Sequence, residues 1–406
     1  MKITVLGGCG TVGSVAVETL SSLDSFSEIV VADINREKGE KLSSTLKNVL
    51  FREVDANDEE SVKSAIEGSD VVLNTIGPFF KFGPKILKAV IEKGINYVDI
   101  CDDFDATERQ LEMDEEAKKR GVSALIGMGS SPGFANVLVR FANDYLFDKM
   151  TSVDIYHAHG GEKTEGAAVV RHRIHSMLID IPAFLDGEFK TVRIFDKSGE
   201  ALEEDVDMCG FGKYRVYAYP HPETITLPRV FKSLKRVTNL GIVLPPKYAE
   251  LIKGFVKLGV TSEEPIDVNG KKIKPIDFAV SFILSRREKF IKDAGITEPI
   301  GCLKIVIKGE KDGRKYTYIF SVTSKGAGME KGTGIPAALG ALLMGQGKIK
   351  EKGVFPPEKG VNPIDVLEVL SKKIKLGEGG KLPVEVERID ETGKKEKVDV
   401  LKFLPI

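Results

Sequence analysis

Tryptophan is absent from this 406-residue chain, and Gln110 and Gln346 are its only glutamines. With Lys and Glu both abundant, that scarcity points to a heat-adapted composition. The four cysteines, Cys9, Cys101, Cys209 and Cys302, show no C-x-x-C spacing, which argues for reduced thiols rather than a disulfide framework. No apolar run approaches the ~20 residues of a membrane helix, because Lys, Glu or Gly interrupts the longest candidates. A charged-then-apolar leader is missing ahead of a first strand that begins at residue 2, so a cytoplasmic location is expected. An excess of either charge is missing too. Lys plus Arg number 59 against 60 Asp plus Glu, which argues against a nucleic-acid or anionic-membrane partner and for a small molecule.

What is present starts at the N-terminus. An apolar strand, Ile3 to Leu6, runs into GGCGTVG (Gly7 to Gly13), and a second strand from Glu28 ends on Asp33. In this order Gly8 is expected to turn the chain tightly, Gly10 to let the backbone approach a pyrophosphate, and Gly13 to let the helix lie close on the strand. The helix N-terminus offers free N–H groups and the positive end of its dipole to the phosphates. Asp33 is expected to accept hydrogen bonds from the adenosine ribose and to repel a 2′-phosphate, making NAD the first choice of cofactor. Arg36, three residues on, keeps NADP open, because a guanidinium there pairs well with a phosphate.

Strand and helix patterns alternate to about residue 130, the grammar of a doubly wound parallel sheet of Rossmann type covered on both faces. Its strand-to-helix loops gather at one edge, where ligands bind. The expected cofactor set is therefore Gly8, Gly10, Thr11, Val12, Gly13, Asp33, Ile34, Asp55, Thr75 and Gly77. Asp55 has two readings, an adenine contact or the N-cap of the next helix. From about Ser152 extended stretches such as VDIYHAH and LKIVIKG replace the alternation, indicating a second α+β domain on a mainly antiparallel sheet. KYTYIFSVT (Lys315 to Thr323) is expected to be its last strand. The expected division is 1–130, 131–330, a helical segment at 331–376 starting near Pro336, and a charged hairpin-like tail at 377–406.

Four blocks extend the argument: NTIGPFFKFG (Asn74 to Gly83), YVDICDD (Tyr97 to Asp103), GSSPGFAN (Gly129 to Asn136) and TGIPAALGALLMGQGKIKEKGVFPPE (Thr333 to Glu358). Together with the glycine loop they resemble the saccharopine dehydrogenase-like family, and within it the lysine 6-dehydrogenases and saccharopine reductases. The resemblance implies a Rossmann first domain, an inserted catalytic and dimerisation domain, a homodimer, and hydride transfer at a carbon–nitrogen bond of an amino acid. It also implies that the 331–376 segment packs back on the first domain. Phe82 stands where relatives often carry Tyr, and Cys101, Asp102 and Asp103 where many carry Thr, Gly and Glu.

Removing hydride from a carbon that bears an amine needs that amine neutral, so a base must stand nearby and a negative charge must hold the nitrogen. Asp102 is the first choice for both, with helix capping as its other reading. Asp99, one step inside the strand end, is expected to orient the loop. Lys81, between two aromatics in a loop, is a second candidate base, its other reading a surface charge; Cys101 is either a poised thiol or a packing residue. His157 and His159 share a strand face ahead of Arg171, Arg173 and His175, suggesting a polar wall for the substrate carboxylate with Arg as anchor. No third ligand at a telling spacing supports a metal there. Asn136 is expected at the substrate or the nicotinamide amide, or as a helix cap.

Two other classes stay open. Tyr145 and Lys149 have the Y-x-x-x-K spacing of extended short-chain dehydrogenases and epimerases, with Ser131 upstream, although helical periodicity puts Tyr145 with core residues Phe134, Leu138 and Phe141. A nucleotide-sensing protein without turnover fits the same fold.

Overall fold

The computed structural model describes residues 1–162, 166–326, 328–374 and 384–404. The nucleotide-type half runs β1 (Lys2–Leu6), α1 (Thr11–Ser22), β2 (Glu28–Asp33), α2 (Arg36–Thr45), β3 (Val49–Glu53), α3 (Glu59–Ala65), β4 (Val71–Asn74), α4 (Phe79–Glu92), β5 (Asn96–Asp99), α5 (Phe104–Leu111), α6 (Asp114–Lys119) and β6 (Ser123–Leu125). Its central strands are short apolar runs buried on both faces, as parallel strands between helices must be. The stretch between β5 and β6 forms two helices, α5 and α6, rather than one.

The chain continues as α7 (Phe134–Phe141), β7 (Lys149–Gly160), α8 (Ala167–Leu178), β8 (Ile181–Leu185), β9 (Glu188–Val192), α9 (Lys197–Glu200), β10 (Glu204–Asp207), β11 (Lys213–Ala218), α10 (Glu223–Val230) and β12 (Arg236–Leu244). Then come α11 (Pro246–Lys257), β13 (Ile266–Val268), β14 (Lys271–Ile273), α12 (Pro275–Asp293), β15 (Ile300–Lys311), β16 (Arg314–Lys325) and α13 (Met329–Gly345). The last elements are β17 (Gly353–Phe355), α14 (Pro357–Gly360), α15 (Pro363–Lys372), β18 (Val384–Asp390) and β19 (Lys395–Lys397).

Two sheets organise these elements. The first has seven strands in the order β17-β6-β5-β4-β1-β2-β3, all parallel. Its order reverses between β1 and β4, which opens the crevice where an α/β sheet takes its ligand. The second sheet has ten strands and is mixed, mostly antiparallel: β10-β11-β12-β7-β15-β16-β18-β19, with β8 beside β12 and β9 beside β8. Among the described residues only its β12 and β7 pair runs parallel.

The sheets correct three expectations. β16, which holds KYTYIFSVT, is not the last strand, because β18 and β19 from the tail extend the sheet beyond it. Residues 377–383 of that tail lie outside the described residues. β17, from far down the chain, pairs with β6 as a seventh parallel strand, and Ser123 Oγ donates to the Glu351 carbonyl at 2.6 Å beside that junction. α13 starts at Met329, not near Pro336, which lies inside it.

α13 lies along α1 at backbone distance. A Cβ on Gly334 would stand 2.8 Å from the Val12 carbonyl oxygen, and one on Gly340 would stand 2.6 Å from Met128. Gly334 therefore sets how near α13 comes to the helix that follows the glycine turn, and Gly340 how near it comes to the end of β6. Among the described residues no helix is long and apolar enough to cross a membrane.

Gly334→Ala is expected to destabilise the fold by about 1–3 kcal/mol, the usual cost of overpacking, and to lower the urea midpoint. Gly254→Ala in α11 adds a methyl that meets nothing within 4 Å, so it is expected to be neutral or to add up to about 1 kcal/mol from helix propensity.

Candidate active site

The glycine turn forms a cradle. Gly7 holds φ +77° and makes the tight turn that was expected of Gly8; Gly8 instead packs its backbone on Val31 and Val5. A Cβ on Gly13 would stand 2.2 Å from the Gly7 carbonyl oxygen and 2.7 Å from Thr75 Oγ1, so no side chain fits there. Gly10 and Thr11 are exposed at the mouth, and α1 starts with no side-chain cap, leaving its first N–H groups to a ligand. These residues fit a dinucleotide pyrophosphate.

Asp33 is held at the same mouth. Its Oδ2 accepts from Cys9 N at 3.0 Å and its Oδ1 from Asn35 N at 2.9 Å, so the carboxylate is locked to the glycine loop with lone pairs to spare. Ile34 beside it is 68% exposed, a large apolar surface with no cover. Arg36 does not wait for a phosphate, because Glu53 holds its guanidinium at 2.6 Å and Glu40 at 3.4 Å.

Other expected cofactor residues take different jobs. Asp55 closes a turn by accepting from Asn57 N and Nδ2, bonds that hold its carboxyl below the usual range. Asp58, not Asp55, caps α3. Thr75 Oγ1 donates to the Leu6 carbonyl, tying the end of β4 to β1, and Gly77 stands exposed two residues ahead of α4.

At the end of β5, Asp99 is fully buried. It accepts from Tyr97 Oη at 2.9 Å, Gln110 Nε2 at 2.6 Å, Cys101 N at 3.0 Å and Gly127 N at 2.7 Å, which fixes the loops after β5 and β6 together. Burial raises its carboxyl above the ordinary value against those four bonds. Cys101 is not at the cleft: it is fully buried against Thr107, and desolvation pushes its thiol well up, so it packs and does not react. Asp103 Oδ2 accepts from Phe80 N, one of the orphan donors of α4, at 3.0 Å. This tertiary cap is why α4 starts at Phe79 and takes in Lys81, which had been expected in a loop. Lys81 is an exposed helix residue whose Nζ donates to Asn57 Oδ1 and lies over the Phe82 ring, remote from a base's role. Asp102 caps no helix; it is half-buried beside Asp103, and burial followed by the Asp102 charge lifts the Asp103 carboxyl.

The second domain divides the expected substrate wall. Arg171 does not anchor a carboxylate, since Asp277 and Glu263 already bind its guanidinium. Arg173 is buried with Nη1 3.4 Å from Tyr248 Oη. His175 does turn toward the first domain, its ring 6.1 Å from that of Phe80. Asn136 is buried with both ends of its amide engaged: its Oδ1 accepts from Gly133 N, capping α7, and its Nδ2 donates to Glu358 Oε2 at 2.8 Å. Tyr145 is not core but 39% exposed against Phe141 and Phe403, while Ser131 bonds Glu223, so Tyr145, Lys149 and Ser131 form no constellation.

Sequence reasoning missed a polar cluster between the domains. Ser131, on the loop after β6, donates to Glu223 Oε1 at the start of α10. His221 Nδ1 stands 3.6 Å from Glu223 Oε2, 3.5 Å from Ser131 Oγ and 3.4 Å from Asn239 Nδ2. The His221 ring stacks on His157 with centroids 5.4 Å apart, and His157 stacks on His159 at 5.9 Å. Burial drives His157 far down and His159 to about 3, so both are neutral packing groups. For His221 burial pulls the same way, but the Glu223 bond and charge, with Asp102 and Asp103, outweigh it and raise the imidazole above the ordinary value. Only an X-H-x-E pattern, His221 and Glu223 flanking a helix start, signalled this in the sequence. Among the described residues no group of three or more His, Cys, Asp or Glu could hold a metal.

Residues 3–125 match the saccharopine dehydrogenase NADP binding domain, and residues 182–379 match the saccharopine dehydrogenase C-terminal domain. The chain belongs to the saccharopine dehydrogenase family. It is 25% identical over 382 residues to the carboxyaminopropylagmatine dehydrogenase of Synechocystis sp., covering 88% of this chain and 93% of that one. It is also 25% identical over 406 residues to the carboxynorspermidine synthase of Vibrio cholerae, covering 91% and 94%. The apo saccharopine dehydrogenase (L-Glu forming) of Saccharomyces cerevisiae shares the fold with a TM-score of 0.69 at 15% identity, covering 98% of this chain and 100% of that one. This family member is an NAD(P)-binding oxidoreductase by its two matched domains.

Glu358 supplies a pH test of the domain junction. It is fully buried, and desolvation raises its carboxyl to about 7 from an ordinary 4.5. The folded chain thus holds a proton there that the unfolded chain releases between pH 4.5 and 7, so stability must fall as pH rises through that window. Relative to Glu358→Gln, the wild type is expected to lose up to about 3 kcal/mol across it, read from urea midpoints at several pH values.

Proposed function

We propose that the chain is an NAD(P)-dependent oxidoreductase that makes or breaks a carbon–nitrogen bond between an amino-acid carbon chain and an amine carrying a further positive charge. The observation that carries this reading is the acidic character of the cleft: Asp102 and Asp103 from the first domain face His221 and Glu223 from the second. Such a site favours a cationic nitrogen over a neutral or anionic partner. The names of the two relatives, which describe carboxylated agmatine and norspermidine, support the same substrate class. Lysine, expected from the resemblance, is a smaller member of it.

Gly8, Gly10, Thr11, Val12 and Gly13 would hold the pyrophosphate, Asp33 the adenosine ribose, Ile34 the adenine and Gly77 the nicotinamide half. Bound there, the nicotinamide accepts or returns a hydride. Asp102 and Asp103 hold the substrate ammonium beside it. The carboxylate of Asp33 repels a 2′-phosphate, and Arg36 is already paired with Glu53 and Glu40. NAD is therefore the preferred cofactor of this reading.

Absorbance of the reduced nicotinamide tests the proposal. An α-amino acid aldehyde with a diamine is expected to consume NADH, and the isolated secondary amine to regenerate it; lysine and saccharopine are the comparison substrates. Turnover confined to free lysine would move the activity to an amine deamination, and no turnover with tight NADH binding would favour the sensing protein. NADH is expected to bind at least about tenfold more tightly than NADPH, a difference of about 1.4 kcal/mol; the reverse order would remove Asp33 from control of the choice.

A further inference from the structure

We infer that His221 and Glu223 form the acid–base dyad of this site, with Ser131 as the group that positions Glu223, an assignment that rests on the carbon–nitrogen chemistry proposed above. Four features of the geometry converge on it. The neighbours of His221 gather at Nδ1: Glu223 Oε2 at 3.6 Å, Ser131 Oγ at 3.5 Å and Asn239 Nδ2 at 3.4 Å. Among the described residues Nε2 has no hydrogen-bond partner, and it is not one of the buried orphan atoms, so this edge of a ring whose side chain is 13% exposed keeps access to solvent. Glu223 is fully buried, and among the described residues its Oε2 has no donor other than the imidazole 3.6 Å away. Ser131 belongs to the loop after β6, on the side of the β1 and β4 switch where the nicotinamide half would lie, and its bond to Glu223 joins the dyad to that edge.

A histidine held at one nitrogen by a carboxylate and open at the other is oriented for proton transfer at the open one. In the oxidative direction the substrate ammonium gives its N–H proton to Nε2. The nitrogen lone pair then forms the second carbon–nitrogen bond, and the C–H electron pair leaves as the hydride that the dinucleotide takes. Reduction runs the same transfers backwards, with the imidazolium proton going to the amine nitrogen. Asp102 and Asp103 hold the nitrogen in this scheme, and the base is the imidazole.

Every charged or titratable neighbour enters the pH behaviour. Glu223 on α10 and Asp102 and Asp103 on the β5 to α5 loop favour the imidazolium; His157 and His159 on β7 stay neutral, and Tyr219 packs edge-on against the ring. Oxidative kcat/KM must therefore rise with pH through a midpoint above 6.5, and reductive kcat/KM must fall through it.

The test combines His221→Gln and Glu223→Gln with an NMR titration of the imidazoles in cofactor-free protein, the His221 signal being the one absent from His221→Gln. His221→Gln is expected to lower kcat/KM by about 10²–10⁴ and to abolish the limb, with NADH dissociation unchanged. Glu223→Gln is expected to move the His221 titration and the kinetic limb to lower pH together. A wild-type pH profile in His221→Gln, or a His221 midpoint indifferent to Glu223→Gln, would overturn the dyad. A chain that shows the shifted titration and binds NADH, yet turns over no amine, would locate the failure in the proposed chemistry rather than in the dyad.

Discussion

One buried carboxylate holds the cleft together. Asp99 has no solvent contact, and its two oxygens collect donors from β5 itself, from α5 and from the loop after β6. A charge or partial charge taken out of water is tolerated only when such bonds replace hydration, and four of them do so here. Their geometric effect is larger than their energetic one. The loop that presents Asp102 and Asp103 and the loop that leads to Ser131 are fixed to the same two oxygens, so the two walls of the first-domain cleft cannot move independently.

The same economy of polar groups continues across the domain boundary. Asp103 looks from its position like the cap of α5, but its side chain satisfies an orphan donor of α4 instead. Asn136 ties the start of α7 to Glu358 on α14, more than two hundred residues away in sequence. α13 then returns to the first sheet, pressing Gly334 against α1 and Gly340 against Met128 and Leu125, and β17 adds itself to that sheet's edge. The dinucleotide-type domain is thus completed by the far end of the chain, which couples its loops to the second domain.

Burial sorts the histidines of that second domain into roles. His157 and His159 lie deep enough to be held neutral, and their stacked rings form a rigid wall. His221, at the open end of the stack, meets enough negative charge to reverse the effect of burial. Similar residues, a few ångströms apart, therefore differ in proton affinity for a reason that only their surroundings contain.

The amino-acid order by itself determined the local features: the glycine turn, the acid after β2, the parallel alternation and the switch to extended strands after Ser152, because each depends on spacing within one or two elements. The family resemblance was legible for the same reason, since its blocks are contiguous. Which side chains share the cleft was not legible. Arg171, Asn136, Cys101 and Lys81 each carried suitable chemistry, but their partners Asp277, Glu358, Thr107 and Asn57 come from other elements and occupy them. Ser131, His221 and Glu223 gained their relation only when α10 docked on the loop after β6. Spacing along a chain reports periodicity and turns; burial and distance between remote segments set hydrogen-bond partners and proton affinities, and those exist only once the chain has folded.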